Sequence, residues 1–398
     1  MKVRILTETD LRGVYATTIL MYKKLKEIGL DVEMYTTFPS EFNYIEPPEE
    51  GKIFGRETIM NSKKYSSLAL KKMNPETGSI IHLANAWHGI IPIAESKGIR
   101  TVINVQYWWP TCYFNSMEES FCDCKSVSKL SKCIKLKKKG VRGYTSLLEA
   151  QYAVRKMERI KDNVSRASAI IAVSKVVKDV LVNRGFPEEK IKIINVNALA
   201  SNIDYVPYNP SEIFTFAYLS YPDREKGIFQ LIQAFAYAIK RNPNIRLKIP
   251  GGIESKEVVD AVRDLDLEKS VELTKRVPYE KYLTSLKDIL ADVDVVVVPS
   301  LYIDTWGRVV IESMLAGRPA MVTKGNGGLV EQVTDGIDGF HVNVYDVKEF
   351  GEALYKVSLM PRDEIKKMGL KARENASKKF DNKVILDQLL SLYKEIIT

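Results

Sequence analysis

The sequence predicts an α/β protein with two doubly wound domains, each built on a parallel sheet. Three observations support this prediction. Short runs of β-branched and apolar residues alternate with amphipathic stretches, which is typical of parallel strands joined by helical crossovers. The alternation begins near Val3 and begins again near Phe214, on either side of a polar, proline-containing stretch at 201–211. The 398 residues are also enough for two separate cores.

The first half of the chain contains six predicted strands and three predicted helices. The strands are 3–7, 32–36, 80–83, 101–105, 169–173 and 191–196. The helices are 15–28, 147–165 and 176–184, the last ended by Gly185. We therefore expect a first domain over 1–205, with a cysteine-containing insertion at about 107–145.

The second half repeats the pattern. Its predicted strands are 214–219, 246–249, 271–273, 293–298 and 320–323. Its predicted helices are 229–241, 256–265, 281–291 and 308–316, the last followed by Gly317 and Pro319. We expect a second domain over 206–378 and a C-terminal segment over 379–398 that contains a helix at 383–397.

Composition and charge predict where the protein is located more specifically than they predict what it binds. No run approaches the roughly 20 apolar residues that span a bilayer, and the N-terminus lacks the apolar core of a signal peptide, so we expect a cytoplasmic protein. The net charge of +9 favours anionic partners in general. Its densest part is a basic segment with interleaved apolar residues, which predicts either a solvated loop or a peripheral contact with the inner face of the membrane. The basic residues are Lys132, Lys135, Lys137, Lys138, Lys139 and Arg142.

Three loops of the second domain contain candidate binding residues, and each follows a predicted strand. In open parallel sheets, ligands bind beyond the carboxyl ends of the strands. The first loop places Arg224 and Lys226 before a helix, where cations and backbone N–H groups together form a site for a diphosphate. Solvated loop charges are the alternative.

The second loop follows the most apolar strand. It contains Asp304, and Glu312 lies eight positions later in the predicted helix. Because carboxylates accept hydrogen bonds from vicinal hydroxyls, the two acids are suited to a donor hexose and a nucleotide ribose. Gly307 allows the backbone to approach a ligand closely, and Trp306 is either a site aromatic or a core aromatic.

The third loop, 324–331, contains the paired glycines Gly327 and Gly328. Successive glycines allow consecutive N–H groups to face one anionic or hydroxyl-rich ligand. A plain turn is the alternative for this loop alone.

Taken together, the three loops resemble the retaining GT-B glycosyltransferases called group one, or family four, over essentially the whole second domain. The residues that carry the resemblance are Lys226-Gly227, Asp304, Trp306-Gly307, Glu312, Gly327-Gly328, Glu331, Asp335-Gly336, Gly339 and Phe340. The resemblance implies that Glu312 holds the donor ribose, that Asp304 holds the donor sugar, and that Lys226 with an arginine holds the diphosphate.

Two departures from the family pattern matter. The family usually has glutamate where this chain has Asp304, so the donor preference is in question. Ser220-Tyr221 replaces the usual glycine-arginine, so we expect Arg224 to supply the second cation. The resemblance also implies two Rossmann-like domains facing a cleft, a C-terminal helix that packs back on the first domain, and retention of configuration without a catalytic divalent metal.

In the first domain the resemblance is weaker. Gly13 stands where the family has a glycine loop that faces donor and acceptor. Gln106 stands where a subset of the family has an active-site histidine, ahead of the aromatic pair that begins with Trp108. His82 ends a predicted strand, where it either lines the cleft or has a structural role. We expect His82, Gln106 and Trp108 on the acceptor side.

All four cysteines fall within one short segment: Cys112, Cys122, Cys124 and Cys133. In a cytosolic protein such clustering favours a metal or redox site over structural disulfides. The spacing is not that of a paired C-x2-C zinc ribbon. A structural zinc site, disulfides and unmodified thiols stay open as alternatives.

The predicted function is transfer of a hexosyl group from a UDP- or GDP-linked donor to a hydroxyl of a glycan or lipid-linked acceptor. One alternative is a GT-B nucleotide-sugar epimerase, which would convert the donor with no acceptor present. Another is a zinc-bearing nucleic-acid-binding protein, but no basic stripe with interleaved aromatics extends along either α/β half.

Overall fold

The computed structural model describes residues 1–7, 12–46, 61–115, 124–138, 143–199, 203–277 and 279–398. They form two compact units, which are described separately below. The first comprises Met1–Leu199 with Asn382–Thr398, and the second comprises Ala200–Asp381.

The first unit has a seven-stranded parallel sheet in the order β3-β2-β1-β4-β5-β6-β7. Its central strands are buried on both faces, as expected for a parallel sheet covered by helices. The strands are β1 (Lys2–Thr7), β2 (Asp31–Thr36), β3 (Asn43–Tyr44), β4 (Ile80–Leu83), β5 (Arg100–Val105), β6 (Ala169–Ala172) and β7 (Ile191–Ile193).

Seven helices belong to this unit within the described residues. They are α1 (Arg12–Glu27), α2 (Lys63–Met73), α3 (Ile91–Glu95), α4 (Val127–Lys137), α5 (Gly143–Ser165), α6 (Lys175–Asn183) and α14 (Asn382–Ile397). Several begin at a serine cap, such as Ser174, whose hydroxyl accepts from the N–H of Val177. The C-terminal helix α14 joins this unit through Tyr393, which is hydrogen-bonded to His82 of β4.

The second unit has a six-stranded parallel sheet in the order β10-β9-β8-β11-β12-β13. The strands are β8 (Phe214–Ala217), β9 (Ile245–Pro250), β10 (Val271–Thr274), β11 (Val295–Val298), β12 (Ala320–Thr323) and β13 (Gly339–Val342). The four valines of β11 are all buried, which suits a central strand with helices on both faces.

The helices of the second unit within the described residues are α7 (Ile228–Ile239), α8 (Lys256–Arg263), α9 (Tyr279–Leu290), α10 (Arg308–Leu315), α11 (Gly327–Val330), α12 (Val347–Ser358) and α13 (Arg362–Lys379). Helix α7 is mostly apolar and packs on α12 in the core of the unit. The prediction of two doubly wound α/β domains is therefore confirmed.

The strand order of the second sheet reverses between β8 and β11. Strands β9 and β10 lie on one side of this pair, and β12 and β13 lie on the other. A crevice forms beyond the carboxyl ends of the strands at such a switch point, because the two crossovers leave in opposite directions. The loops after β8 and β11 therefore begin side by side.

The boundary between the units lies earlier than the predicted 205/206. Arg318, which is buried, donates hydrogen bonds to the carbonyls of Val206, Pro207 and Leu290. The N–H of Val206 in turn donates to Ala316. Residues before 206 belong to the second unit as well, since Arg373 of α13 donates to the carbonyl of Ile203 at 3.3 Å and lies 5.8 Å from the centre of the Tyr205 ring. The C-terminal part of the first unit begins at Asn382 and not at the predicted residue 379. Phe380 belongs to the second unit, where it packs edge-on against Trp306.

Two local predictions are wrong. Strand β7 ends at Ile193, and the predicted strand residues beyond it enter a short 3-10 helix, Val196–Ala198. Part of the basic segment is helical, which contradicts the alternative of a loop: Lys132, Lys135 and Lys137 lie on α4, and Lys138 caps its end. Lys139 and Arg142 lie outside the described residues. No helix in the described part of the chain is long and apolar enough to cross a membrane.

Candidate functional site

The first two loops of the candidate site are joined through their backbones at the switch point. The loop after β8 ends in a 3-10 helix, Arg224–Lys226, and the loop after β11 begins at Pro299. The N–H of Leu301 donates to the carbonyl of Glu225 at 2.9 Å. Gly227 has a φ of +74°, and a Cβ at this position would lie 1.9 Å from the carbonyl oxygen of Pro299. Only glycine allows this approach.

The approach of the loops brings Lys226 and Asp304 into direct contact. The Lys226 Nζ donates to Asp304 Oδ2 at 2.7 Å and also donates to the Tyr302 hydroxyl. The Tyr302 hydroxyl donates to the same carboxylate oxygen at 3.3 Å, and the Lys226 ammonium lies 4.6 Å from the centre of the Tyr302 ring. The Asp304 side chain is buried, whereas that of Lys226 is 28% exposed. The buried carboxylate of Asp304 thus holds a lysine whose side chain is partly exposed to solvent.

Neighbouring charges control the protonation of this cluster. Burial alone lowers the pKa of an ammonium group, but the Asp304 carboxylate and the Tyr302 hydroxyl together raise the pKa of Lys226 above its ordinary value. Burial, followed by the charge of Asp304, raises the pKa of Tyr302. At neutral pH the lysine is therefore charged and the tyrosine is protonated.

The third loop fixes the backbone of the second. Asn326 accepts from the N–H of Asp304 at 2.8 Å and donates to the carbonyls of Ser300 and Tyr302. The N–H of Gly328 donates to the Asp304 carbonyl at 2.8 Å. A Cβ at Gly328 would lie 2.1 Å from the carbonyl oxygen of Thr305. The two loops are packed so closely that Asp304 has little freedom to move.

Glu312 is the second buried carboxylate of this region. It lies on α10, which begins after Gly307, and both of its oxygens accept hydrogen bonds. The Tyr282 hydroxyl donates to one oxygen at 3.2 Å and the Arg308 guanidinium donates to the other at 3.3 Å. Gln332 holds the start of α10 by bonding both the N–H and the carbonyl of Gly307 at 2.9 Å. Glu312 is therefore oriented before any ligand binds.

A known protein family matches the part of the chain that contains this site. A family model described as "Glycosyl transferases group 1" covers residues 209–379. The second unit is a glycosyl transferases group 1 domain. This domain contains the three loops, both buried carboxylates and Lys226.

Curated glycosyltransferases match part of the chain at low identity. The capsular polysaccharide biosynthesis glycosyltransferase CapM of Staphylococcus aureus is 24% identical over 245 residues, which cover 58% of this chain and 62% of CapM. The D-inositol 3-phosphate glycosyltransferase of Saccharomonospora viridis is 26% identical over 171 residues, 42% of this chain and 39% of that protein. The chain thus spans less than two thirds of the length of either relative.

Solved structures share the fold over the whole chain. The crystal structure of HepE from Anabaena in complex with UDP and glucose has a TM-score of 0.68 and 16% identity, covering 99% of this chain and 100% of HepE. A glycosyltransferase from Rickettsia africae has a TM-score of 0.68 and 18% identity, covering 100% and 98%. Together with the two parallel sheets, these neighbours confirm the predicted GT-B fold class.

The sequence analysis expects Arg224 to join Lys226 in the diphosphate site, but the structure does not place the two side chains together. The Arg224 guanidinium is 71% exposed and forms an ion pair with Glu257 of α8 at 2.8 Å. It also lies 4.5 Å from the centre of the Phe229 ring. Glu257 and Phe229 hold the Arg224 side chain at the surface of the group 1 domain, and its role as the second cation stays a prediction. Arg308, beside Glu312, is the arginine that this geometry places at a site carboxylate.

Trp306 is a core residue and not a site aromatic. Its side chain is buried and meets Phe380 edge-on, with 5.2 Å between the ring centres. Its indole N–H has no hydrogen-bond partner within the described part of the chain. The neighbouring Gly307 is needed for packing, because a Cβ there would lie 2.5 Å from Leu329. Gly327 begins the short helix α11.

The three residues predicted on the acceptor side are buried. His82 bonds Tyr393 through Nδ1 and Asn104 through Nε2, so neither ring nitrogen is available to a ligand. Gln106 donates to the carbonyl of Ala84 at 3.0 Å, and Trp108 is 1% exposed. These buried positions indicate a structural role for the three side chains, and contact with an acceptor stays a prediction. Gly13 lies in the first turn of α1.

The cysteine prediction remains a prediction. Cys112 and Cys124 are buried and Cys133 is partly buried, whereas Cys122 lies outside the described residues. Among the described residues, no group of three or more histidine, cysteine, aspartate or glutamate side chains is placed to hold a metal ion.

Sequence reasoning missed four polar residues of the site: Tyr302, Tyr282, Asn326 and Gln332. Each bonds a carboxylate or the backbone of a loop, and most of these bonds join segments that are distant in sequence. For Asn326 a signal was present, because asparagine before paired glycines is a common turn residue.

Proposed function

We propose that the chain is a hexosyltransferase that uses a nucleoside-diphosphate sugar. In this proposal Lys226 binds the diphosphate, Asp304 accepts hydrogen bonds from hydroxyls of the donor sugar, and Glu312 accepts them from the ribose. The observation that carries it is the Lys226–Asp304 contact of 2.7 Å at the switch point of the group 1 domain. The UDP and glucose named with HepE favour UDP as the first donor nucleotide to test.

The chemistry requires stabilisation of a departing diphosphate. As the bond between the anomeric carbon and the diphosphate oxygen breaks, negative charge grows on the phosphate. An ammonium that is already in place stabilises that charge without reorganisation. The high pKa of Lys226 keeps it cationic throughout. Lys226 exchanges part of its contact with Asp304 for the phosphate, and the freed carboxylate oxygen then accepts from a sugar hydroxyl.

The remaining features follow the family resemblance. Configuration at the anomeric carbon is retained, and the leaving phosphate takes the proton of the acceptor hydroxyl. The acceptor is a hydroxyl of a glycan or a lipid-linked saccharide, in the biosynthesis of a polysaccharide or glycoconjugate, as the name of CapM suggests. No divalent metal is required in this proposal, because Lys226 supplies the positive charge. Turnover that persists in excess EDTA is the matching test.

A nucleotide panel in a thermal-shift assay tests the donor site. A ligand that binds only the folded state raises the melting temperature, so UDP or GDP is expected to stabilise the chain. Lys226→Ala should remove the extra stabilisation that UDP gives over uridine. Glu312→Gln should remove the difference between UDP and 2′-deoxy-UDP. No shift with any nucleoside diphosphate would contradict the donor-site assignment.

Product analysis then tests the reaction itself. With UDP-glucose and a glycan acceptor, we expect a new glycosidic bond with the anomeric configuration of the donor, visible by NMR. Incubation with the donor alone is the control. If that incubation yields an epimer of the donor and the acceptor stays unmodified, the chain is an epimerase and not a transferase.

A further inference from the structure

The Tyr302 hydroxyl lies between the two charged groups of the Lys226–Asp304 pair, and the proposed function gives it no role. It accepts a hydrogen bond from the Lys226 ammonium and donates one to Asp304 Oδ2 at 3.3 Å. The same carboxylate oxygen accepts from Lys226 directly at 2.7 Å. The lysine, the tyrosine and the carboxylate thus form a closed triangle of hydrogen bonds, in which the position of each group depends on the other two.

The triangle leaves one N–H of Lys226 for a ligand. An ammonium group has three N–H donors and no acceptor. Asp304 and Tyr302 accept from two of these donors, and no acceptor for the third lies within the described part of the chain. Because two fixed acceptors prevent rotation about the Cε–Nζ bond, the third N–H has a single direction. The Lys226 side chain is partly exposed, so a ligand can reach it.

The backbone around Tyr302 holds its side chain in this position. The carbonyl of Tyr302 accepts from the Asn326 side chain at 2.7 Å, and the same side chain accepts from the N–H of Asp304 at 2.8 Å. The centre of the Tyr302 ring lies 4.6 Å from Lys226 Nζ, and the face of an aromatic ring attracts a cation at such a distance. The fixed backbone thus places the ring and the hydroxyl, and these confine the ammonium.

Ser300 supplies a second hydroxyl to the same carboxylate and differs from Tyr302 in one respect. Its Oγ donates to Asp304 Oδ2 at 3.4 Å, whereas the Tyr302 hydroxyl also accepts from Lys226. Burial, followed by the charge of Asp304, raises the pKa of Tyr302 above its ordinary value, so the hydroxyl keeps its proton at neutral pH. A protonated tyrosine donates to the carboxylate and accepts from the ammonium at the same time.

We propose that Tyr302 is a positioning residue for the transfer reaction, whose hydroxyl orients the Lys226 ammonium so that its third N–H faces the departing diphosphate. The inference rests on the proposed function, because that function assigns the diphosphate to Lys226. When the lysine gives up part of its contact with Asp304, the Tyr302 hydroxyl still accepts from it and still donates to the carboxylate. The cation therefore stays aligned as negative charge grows on the leaving group.

Titration calorimetry of the full chain with UDP and with uridine tests the orientation of the ammonium. Tyr302→Phe keeps the ring and removes the hydroxyl. We expect this change to raise the Kd of UDP roughly 5- to 20-fold, because the hydrogen bond from the ammonium to a phosphate oxygen loses its alignment. The Kd of uridine, which lacks the diphosphate, should change less than about twofold. The matched control is Tyr345→Phe, which removes a hydroxyl that donates to the Leu301 carbonyl of the same loop at 2.9 Å and should change neither constant.

A double-mutant cycle shows whether Tyr302 acts through Lys226. In the otherwise wild-type chain, Tyr302→Phe should lower kcat about tenfold, since charge on the leaving phosphate grows toward the transition state. In the Lys226→Ala chain the same substitution should lower kcat less than about twofold, because no ammonium is left to orient. Ser300→Ala should lower kcat less than Tyr302→Phe does, because it leaves both bonds of the ammonium in place. A tyrosine that only supports the loop would cause the same loss in both backgrounds.

Four results would overturn the proposal. Equal UDP affinity in Tyr302→Phe and wild type would mean that the ammonium is oriented without the hydroxyl. A loss of affinity for UDP-glucose but not for UDP would assign the hydroxyl to the sugar, and an equal loss for uridine would assign it to the stability of the site as a whole. Additive losses in the cycle would mean that Tyr302 acts independently of Lys226. A wild-type chain that binds no UDP contradicts the proposed function and this inference together, whereas wild-type binding that Tyr302→Phe leaves intact contradicts this inference alone.

Discussion

Two polar clusters of the molecule have similar composition but opposite character. In the second unit, Lys226, Tyr302 and Asp304 form a charged network at the end of a strand. In the first unit, His82, Asn104 and Tyr393 form a network on the strands themselves. The first contains a full ion pair and a partly exposed cation, whereas every member of the second is buried.

The difference lies in what burial does to the charge. Asp304 keeps Lys226 protonated despite its burial, so that cluster offers a charge to a ligand. His82 has the neutral partners Tyr393 and Asn104, and burial lowers its pKa to about 4. It is therefore a neutral side chain that links α14 to β4. A hydrogen-bonded cluster at a strand indicates a binding site only when one member keeps a charge that solvent or a ligand can reach.

Removing the Lys226 cation is the strongest test of the contrast between the two clusters. We expect Lys226→Ala to lower turnover by about 10²- to 10³-fold, because it removes a preorganised charge from the departing diphosphate. His82→Gln should lower turnover less than threefold, since His82 serves the fold. Initial rates at saturating donor and acceptor measure both. Equal losses in the two variants would mean that the clusters do not differ in function.

How far the sequence predicts this site depends on how local each signal is. The loops, the carboxylates and the glycines were predictable, because each lies in or just after a loop that follows an apolar strand run. Lys226 and Asp304 are far apart in the chain, but strand order brings their loops together in any doubly wound sheet of this kind. The position of the site therefore follows from the alternation of strands and helices.

The errors concern side chains whose partners are distant. Arg224 was predicted beside Lys226, but its direction depends on Glu257, and Trp306 was placed in the site although Phe380 covers it. Tyr302 is one of 20 tyrosines, and nothing near it in sequence marks it. Helix α4 is different, because Ser126 is a capping residue ahead of the apolar positions and could have indicated a helix.

Close backbone packing at the charged cluster can be tested with two glycines. Gly227 and Gly325 both have positive φ, but a Cβ meets Pro299 O at 1.9 Å only at Gly227, while nothing lies within 4 Å at Gly325. Both substitutions to alanine cost about 1 kcal/mol for the left-handed backbone. We expect Gly227→Ala to cost about 2 kcal/mol more, and to abolish stabilisation by UDP.

The measurement is denaturant unfolding of both variants alongside wild type. Gly325→Ala is the matched control, since it shares the backbone strain and lacks the clash. Similar unfolding free energies for the two variants would show that the approach of the two loops is not rigid, and would weaken the case for a preorganised site.

The neutral His82 cluster predicts that the free energy of unfolding depends on pH. An unfolded histidine has a pKa of about 6.5, whereas folded His82 has a pKa of about 4. Between these values the unfolded chain binds more protons, so the free energy of unfolding falls as pH falls. From pH 7 to pH 5 His82 should account for about 2 kcal/mol of that loss. Buried His88, with a pKa of about 3, acts in the same direction.

His82→Gln isolates this contribution. The variant is less stable at pH 7, but its unfolding free energy should fall less steeply between pH 7 and pH 5 than that of wild type. Chemical denaturation at several pH values in this range measures both slopes. Parallel curves would mean that the pKa of His82 is the same in the folded and unfolded chains, and the contrast with Lys226 would disappear.

The smallest effect on stability and UDP binding is expected for substitution of Arg224. The sequence predicts that Arg224 is the second cation of the diphosphate site, whereas the structure pairs it with Glu257. Its ion pair with Glu257 is mostly exposed on both sides, and such pairs contribute about 0.2 to 1 kcal/mol. Arg224→Ala should therefore change stability by less than about 1 kcal/mol and leave the UDP-induced thermal shift within error of wild type. Glu257→Ala should have the same small effect, because it removes the same pair from the other side. A loss of UDP binding in Arg224→Ala but not in Glu257→Ala would mean that the guanidinium leaves Glu257 for the diphosphate when donor binds. The second cation of the site would then be Arg224, as the sequence predicted, and Arg308 would serve only to orient Glu312.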